Sequence, residues 1–267
     1  MTHHLEGILK TYPEFCVLHV PHNATNIPSD LRHQFCLTEE ELTRELVNMT
    51  DWHTRDLFAP PEEVVTLVEA KVSRLVVDVE RFSDDQEEVM SQRGMGAVYT
   101  RSFDQKPLRF ELSEAERKIL LERFYFPHHR AFELTVQKKL NIWGKCLIID
   151  CHSFPSRPLP YELDQSVDRP DICLGTDSFH TPESLLEEFL KAFQEPGFRT
   201  KVNAPFSGAI VPLRFYQTEN AVQSIMVEVS RSLYLDESTG LKRKDFDSVA
   251  AKIRSCCRRA IAVLKMV

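Results

Sequence analysis

Short, almost wholly apolar runs alternate along this chain with longer amphipathic segments. Four runs predict strands, at residues 15–20 (FCVLHV), 75–79 (LVVDV), 145–150 (KCLIID) and 224–229 (SIMVEV). Capping sequences and helical periodicity predict helices over residues 38–47, 113–140, 181–194 and 245–265, with Pro127 expected to break or kink the second. Strands that are apolar throughout are typical of parallel sheets covered on both faces. The pattern predicts a single α/β domain over residues 1–267, with a mixed, mostly parallel sheet and helices on both faces.

Charge and composition narrow the classes of partner. The formal net charge of −7 disfavours a general nucleic-acid binder, which usually carries a basic face. No apolar run approaches the roughly 20 residues of a membrane-spanning helix. The 7 cysteines are an odd number and several fall within apolar runs, which favours free thiols in a reducing compartment. We expect a cytoplasmic protein that binds a small molecule, with no nucleic-acid or membrane partner.

Polar side chains stand at or near the ends of the four predicted strands. His22 follows the first strand, Glu80 and Arg81 follow the second, His152 follows the third, and Glu228 lies near the end of the fourth. Ligands of open α/β sheets bind beyond the carboxyl ends of the strands. These five residues are therefore candidates for one shared site.

Two histidines and a carboxylate form a common catalytic zinc site, in which one coordination position stays open. The segment TDWHTRDLF, residues 50–58, supplies the further candidates Asp51 and His53. Spacing alone leaves simpler interpretations open, because strand-end histidines are often structural and Asp51 could cap a turn. Next to His152, Cys151 should point to the opposite face of its strand and pack in the core, whereas Asp150 should share the face of His152 and could orient it.

Six segments of the chain resemble the N-formylglutamate amidohydrolase family. They are VPHNATNIP, TDWHTRDLF, VVDVERFSDD, IIDCHSFPS, PDICLGT and VEVSRSLYLDE, which occur in the family's order over about residues 20–237. The resemblance implies a fold similar to that of the zinc carboxypeptidases. It also implies a hydrolase that releases formate and glutamate from N-formylglutamate during histidine breakdown.

The resemblance further implies the metal ligands. His22 and His152 match the two histidines that bind zinc. In the carboxypeptidases a carboxylate ligand lies three residues after the first histidine, but Thr25 occupies that position here. Asp51 is therefore our predicted third ligand, and His53 is the alternative.

The remaining roles follow from the same resemblance. Glu228 matches the general base and Arg81 matches the anchor for a substrate carboxylate, with Arg93 and Arg214 as further candidate anchors. Glu80 replaces the asparagine that usually precedes the anchoring arginine. If Glu80 faces the substrate it should disfavour a second carboxylate, and if it pairs with another arginine it should not.

Several functions therefore stay open at this point. The first is a zinc-dependent amide hydrolase acting on N-formylglutamate or another N-acyl amino acid. The same chemistry on a γ-glutamyl peptide, a non-enzymatic metal-binding protein, and an interaction protein without a metal are the alternatives.

Overall fold

The computed structural model describes residues 11–60 and 62–264. Its principal strands are β1 (Cys16–Val20), β2 (Leu67–Glu69), β3 (Cys146–Phe154), β4 (Ile172–Gly175), β5 (Thr200–Val202) and β6 (Val222–Ser230), and a small ribbon contains β7 (Leu235–Asp236) and β8 (Leu241–Lys242). Its α-helices are α1 (Glu39–Met49), α2 (Thr54–Phe58), α3 (Glu114–Leu120), α4 (Phe126–Trp143), α5 (Glu183–Gln194) and α6 (Phe246–Leu264). The predicted helix end at residue 265 and the two ends of the predicted domain, residues 1–10 and 265–267, lie outside the described residues.

The main sheet has the strand order β2-β1-β3-β6-β4-β5. Neighbouring strands run parallel except β4 and β6, which are antiparallel. The prediction of a mixed, mostly parallel sheet is confirmed. The long pairing of β3 with β6 places the carboxyl ends of these two strands side by side at the centre of the sheet.

Helices cover both faces of this sheet, as the apolar strands predicted. Leu147, Ile149 and Cys151 of β3 belong to one hydrophobic cluster together with residues of α5 and α6. Their neighbours Cys146 and Ile148 belong to another cluster, with Phe132 and Val136 of α4 among its members. Alternate residues of one strand thus anchor different layers of helices, because successive side chains point to opposite faces.

The predicted strand at residues 75–79 is wrong. The strand beside β1 is instead the short β2, and residues 75–79 form a buried turn. Ser73 organises this turn, since its carbonyl accepts from Val76 N at 2.8 Å and its hydroxyl accepts from Leu75 N at 3.2 Å. The apolar side chains Leu75, Val76 and Val77 pack into a third hydrophobic cluster. Periodicity cannot separate such a buried turn from a buried strand.

The observed boundaries of one helix and one strand differ from the predicted ones. The predicted helix over 113–140 is divided into α3, a π-helical turn at Leu121–Tyr125, and α4. Pro127 lies in the first turn of α4, where its missing N–H group costs no helical hydrogen bond. The third strand continues to Phe154, so His152 lies within β3 rather than beyond its end. Within the described part of the chain, no helix has the length and apolar character needed to cross a membrane.

Candidate metal centre and active site

A cavity of about 560 Å³ opens at the carboxyl ends of the central strands. His22 lies just after β1, and His152 of β3 stands in register with Glu228 of β6. Asp51 comes from the segment between α1 and α2, where its backbone N–H donates to His22 O at 2.9 Å. All four side chains line the cavity. The fold therefore brings together four residues that lie far apart in the sequence.

The first histidine–carboxylate cluster consists of His22, Asp51 and His152, and we refer to it as the ligand cluster. One potential ligand atom from each residue lies within 4.8 Å of the other two. Asp51 Oδ2 is 3.7 Å from His22 Nδ1 and 3.2 Å from His152 Nδ1. All three side chains are buried, with residue exposures of 2–3%. The ligand cluster thus presents two imidazole nitrogens and a carboxylate to one small volume.

Asp78 sets the orientation of the His22 ring. His22 Nε2 lies 2.8 Å from Asp78 Oδ1, so this nitrogen is the one that donates. Asp78 is itself held by Arg74 Nη2 at 2.8 Å from Oδ2 and by the hydroxyl of Tyr99. His22 Nδ1 is buried and has no hydrogen-bond partner among the described residues. A histidine with one nitrogen fixed by a carboxylate and the other free is arranged as a metal ligand, so these residues fit a bound metal.

Asp51 is held as an anion. Its Oδ1 accepts from Arg231 Nη2 at 2.9 Å, and its Oδ2 accepts from the backbone N–H of Ser153 at 3.2 Å. Burial acts to raise the pKa of Asp51, but the hydrogen bond from His152, the proximity of His22 and the charge of Arg231 together lower it well below its usual range. The carboxylate required of a metal ligand is therefore already ionised at neutral pH.

A second histidine–carboxylate cluster lies directly behind the first and consists of His19, Glu80 and Asp150; we refer to it as the inner cluster. His19 Nδ1 is 2.9 Å from Asp150 Oδ1 and 3.3 Å from Glu80 Oε1. His19 Nε2 is 3.0 Å from His128 Nε2. Burial, followed by the charge of His19, lowers the pKa of His128 to about 3, so His128 is a neutral acceptor. Both nitrogens of His19 thus have partners.

The inner cluster also fixes His152. Its Nε2 lies 3.0 Å from Asp150 Oδ1 and 3.0 Å from Glu80 Oε2. Burial acts to lower the pKa of His152, but Glu80 and Asp150 outweigh it and raise this pKa well above its usual value. These contacts turn His152 Nδ1 towards Asp51. Asp150 shares the face of His152, as predicted, and Cys151 packs in the opposite layer.

Glu228 is a buried carboxyl group beside the ligand cluster. Its Oε2 has no hydrogen-bond partner among the described residues. Burial raises the pKa of Glu228 to about 8, although the charge of His152 acts in the opposite direction. A carboxyl group whose pKa lies near neutrality can both accept and return a proton under working conditions.

Arg81 lines the same cavity and forms no ion pair with any described residue. Its Nε is buried and has no hydrogen-bond partner in the described part of the chain. The neighbouring Glu80 points towards His19 and His152 rather than towards Arg81, and it pairs with no arginine. Glu80 therefore does not pair with another arginine, and it lines the cavity while its carboxylate contacts the two histidines.

Three further candidates from the sequence lie away from the cavity. Arg93 is exposed and donates to Tyr161 O at 3.2 Å. Arg214 is exposed and pairs with Glu133 at 3.2 Å. His53 adopts a left-handed backbone conformation, with φ of 62°, and its Nε2 contacts Gly240 O at 2.9 Å. The structure does not bring any of the three to the ligand cluster.

Sequence reasoning also missed four residues that shape the site: His19, Asp78, His128 and Arg231. His19 and Asp78 stand inside apolar runs, where a charged or ionisable side chain is rare unless it has a partner. That anomaly was the available signal for both of them. His128 and Arg231 carry no comparable signal, because histidine in a helix and arginine after a strand are ordinary on a protein surface.

Comparison with known proteins identifies the family of the chain. The family model of N-formylglutamate amidohydrolase matches residues 15–235. The N-formylglutamate deformylase of Pseudomonas putida is 26% identical over 195 residues, which cover 71% of this chain and 72% of that protein.

Two solved structures share the fold. One is an N-formylglutamate amidohydrolase from Ralstonia eutropha, with a TM-score of 0.78, 21% identity and coverage of 98% of both chains. The other, from Agrobacterium tumefaciens, has a TM-score of 0.69, 17% identity and coverage of 94% of this chain and 92% of that one. These two likenesses show the fold, and the sequence match over residues 15–235 shows that the chain belongs to the N-formylglutamate amidohydrolase family.

Proposed function

We propose that this protein is a zinc-dependent hydrolase that cleaves the linear amide bond of an N-acyl amino acid. One observation carries the proposal: the free Nδ1 of His22 faces Asp51 and His152 in a buried position, next to Glu228, whose Oε2 has no hydrogen-bond partner among the described residues. A metal-dependent amide hydrolase requires a set of metal ligands and a proton-transfer group next to them. The activity in the name of the Pseudomonas putida relative supports the same reaction class.

His22, Asp51 and His152 would hold the zinc ion. Two histidines and one carboxylate match the donor preference of catalytic zinc, and Asp51 is preferred to His53 because His53 lies elsewhere. Bound zinc supplies a Lewis acid, which polarises an acyl carbonyl and makes water more acidic. Asp78 holds His22, and Glu80 and Asp150 hold His152, so the ligand atoms are oriented by the protein itself.

Glu228 performs the proton transfers. It accepts a proton from the attacking water at its free Oε2 and returns that proton to the nitrogen of the departing amino acid. Burial raises the pKa of Glu228, which favours return of the proton, and a nearby cation would favour the ionised form that accepts it. The burial of Oε2 without a hydrogen-bond partner among the described residues is unfavourable, and a purely structural role does not account for it.

Arg81 binds the carboxylate of the substrate. Arg81 lines the cavity and forms no ion pair with a described residue, and a carboxylate can accept two parallel hydrogen bonds from arginine. Such an anchor orients the amide bond relative to Glu228 and the ligand cluster. Correct orientation of this kind makes a large contribution to enzymatic rates.

Chelation followed by reconstitution tests the proposal. Turnover of N-formyl amino acids should disappear when the metal is removed, return when one equivalent of zinc is added, and remain absent when only magnesium is added. Formate release, measured with a coupled assay, reports the reaction directly. Turnover that persists in fully metal-free protein, or zinc-loaded protein with no turnover of any N-acyl amino acid, would contradict the proposal.

A further inference from the structure

Cationic groups that face the cavity are few among the described residues. Arg74 lines it but is occupied by Asp78 and Tyr99. His129 also lines it and is neutral, because burial, followed by the charge of His19, lowers its pKa to about 4. Arg81 is therefore the lining guanidinium that is not tied to a carboxylate. One such group binds one substrate carboxylate.

Carboxylates are more numerous on the cavity wall. Beyond the two histidine clusters and Glu228, the lining includes Glu88, Glu162, Asp164 and Asp177. Glu162 is paired with Arg169, but Asp164 and Asp177 contact only backbone N–H groups of their own turns and are partly exposed. A second negative charge on a substrate would thus meet uncompensated negative charge.

Large apolar side chains stand exposed around the same cavity. Phe82, Leu163, Leu213 and Tyr216 line it and have exposures of 48%, 63%, 71% and 39%. Exposed apolar groups that gather at one opening are typical of a surface that binds an apolar part of a ligand. Phe82 directly follows Arg81, so apolar surface lies next to the carboxylate anchor.

From these three observations we infer that the preferred substrate is an N-acyl amino acid with a single carboxylate and an apolar side chain, rather than N-formylglutamate. This inference rests on the proposed function, since it names the substrate class of the same site. Arg81 binds the α-carboxylate, and the side chain of the substrate contacts the apolar rim formed by Phe82, Leu163, Leu213 and Tyr216. A cavity of about 560 Å³ falls within the usual range of small-molecule sites and accommodates a bulky side chain.

A panel of matched N-formyl amino acids tests the inference on the zinc-loaded protein. N-formylmethionine, N-formylglutamine and N-formylglutamate have side chains of similar length that are apolar, polar and anionic. We expect kcat/KM to decrease in that order, with a ratio of at least about tenfold between the first and the last. Calorimetric binding to the zinc-loaded Glu228→Gln variant should give the same order of affinity without turnover.

The possible outcomes separate the inference from the proposed function. Equal or better hydrolysis of N-formylglutamate would overturn the inference and leave the proposed function standing. Absence of turnover for the whole panel, in protein that contains zinc, would contradict the proposed function and the inference with it.

A charge placed on the rim sharpens the test. Leu213→Arg supplies a second cation at the cavity, so it should increase kcat/KM for N-formylglutamate relative to N-formylmethionine by at least about tenfold. Leu134→Arg is the matched control, because Leu134 is also an exposed leucine, at 59%, but lies on α4 and does not line the cavity. The same shift in both variants, or in neither, would argue against the rim as the site of the substrate side chain.

Discussion

The ligand cluster and the inner cluster contain the same kinds of residue, yet His22 of the first and His19 of the second are in opposite states. His22 has one nitrogen held by Asp78 and the other buried without a partner. His19 has both nitrogens engaged, one by Asp150 and Glu80 and the other by His128. A buried nitrogen without a partner carries a desolvation cost that a metal ion removes, whereas a fully paired imidazole gains nothing comparable. Composition alone therefore does not identify a metal site, and the feature that separates the two clusters is the unpaired imidazole nitrogen that His22 has and His19 lacks.

The largest expected effect comes from removing a ligand. His22→Ala and His152→Ala should each lose zinc and lower kcat by about a thousandfold or more, because several kcal/mol of electrostatic stabilisation disappear. Metal content by mass spectrometry, alongside circular dichroism for the fold, provides the measurement. His53→Asn is the matched control, since asparagine tolerates the left-handed conformation of that residue. Stoichiometric zinc of unchanged affinity in either alanine variant would remove that histidine from the ligand set.

Glu228→Gln should give the next largest effect. The amide keeps the shape of the side chain but cannot accept a proton, so kcat should fall by about 10² to 10⁴-fold. Zinc content should stay at the wild-type level, which distinguishes this residue from the ligands. A variant with near-normal kcat would show that another group transfers the proton.

Substitution of the residues that orient the ligands should have a smaller effect, on zinc affinity. Asp78→Asn weakens the contact with His22 and should reduce zinc affinity by about 10 to 100-fold. His19→Gln acts on His152 only through the inner cluster, and it should have a weaker effect. Zinc titration with a competing chelator measures both affinities.

The same titration decides whether the inner cluster itself binds metal. We expect one zinc ion per chain in the wild type and in His19→Gln. A wild-type stoichiometry of two that falls to one in His19→Gln would break the comparison, because the inner cluster would then be a second metal site.

Glu80→Asn should have the smallest effect of the series. Asp150 continues to accept from His152 Nε2, so zinc affinity should fall by less than about tenfold. The ratio of kcat/KM between N-formylglutamate and N-formylmethionine should change by less than about threefold, because Glu80 faces the histidines rather than the substrate anchor. A selective gain of about tenfold for N-formylglutamate would instead show that Glu80 repels a substrate carboxylate.

The sequence predicted the central strands β1, β3 and β6 because they are the most apolar runs of the chain, and it missed the shorter strands β2, β4 and β5. It placed His22 and His152 in one site because polar residues near the carboxyl ends of parallel strands converge, whereas Asp51 was chosen as the third ligand from the family resemblance. It failed at residues 75–79, where a buried turn has the same composition as a buried strand. The hydrogen bonds of Ser73 make these residues a turn rather than a strand, and the sequence pattern does not reveal those hydrogen bonds.

Arginines were the least predictable part of the site. A long side chain can extend in many directions, so the residues that flank Arg93 and Arg214 in the sequence do not determine where their guanidinium groups lie. Both point to the surface, whereas Arg231 reaches the site from the turn that follows β6. The pairing of Glu80 with histidines was equally hidden, since His19 joins it from a strand about sixty residues earlier in the chain.

Arg231 has a consequence for how the metal centre is loaded. Its guanidinium group joins Asn48 O, Asp51 Oδ1 and Ser153 Oγ, which lie on three separate segments. The carboxylate of Asp51 is therefore immobilised when the chain folds, and its conformational entropy is already lost before an ion arrives. Ion capture then requires dehydration of the cation but little rearrangement of the protein. Uptake should accordingly follow a single fast kinetic phase, and a slow, folding-like phase should appear only when this tether is cut.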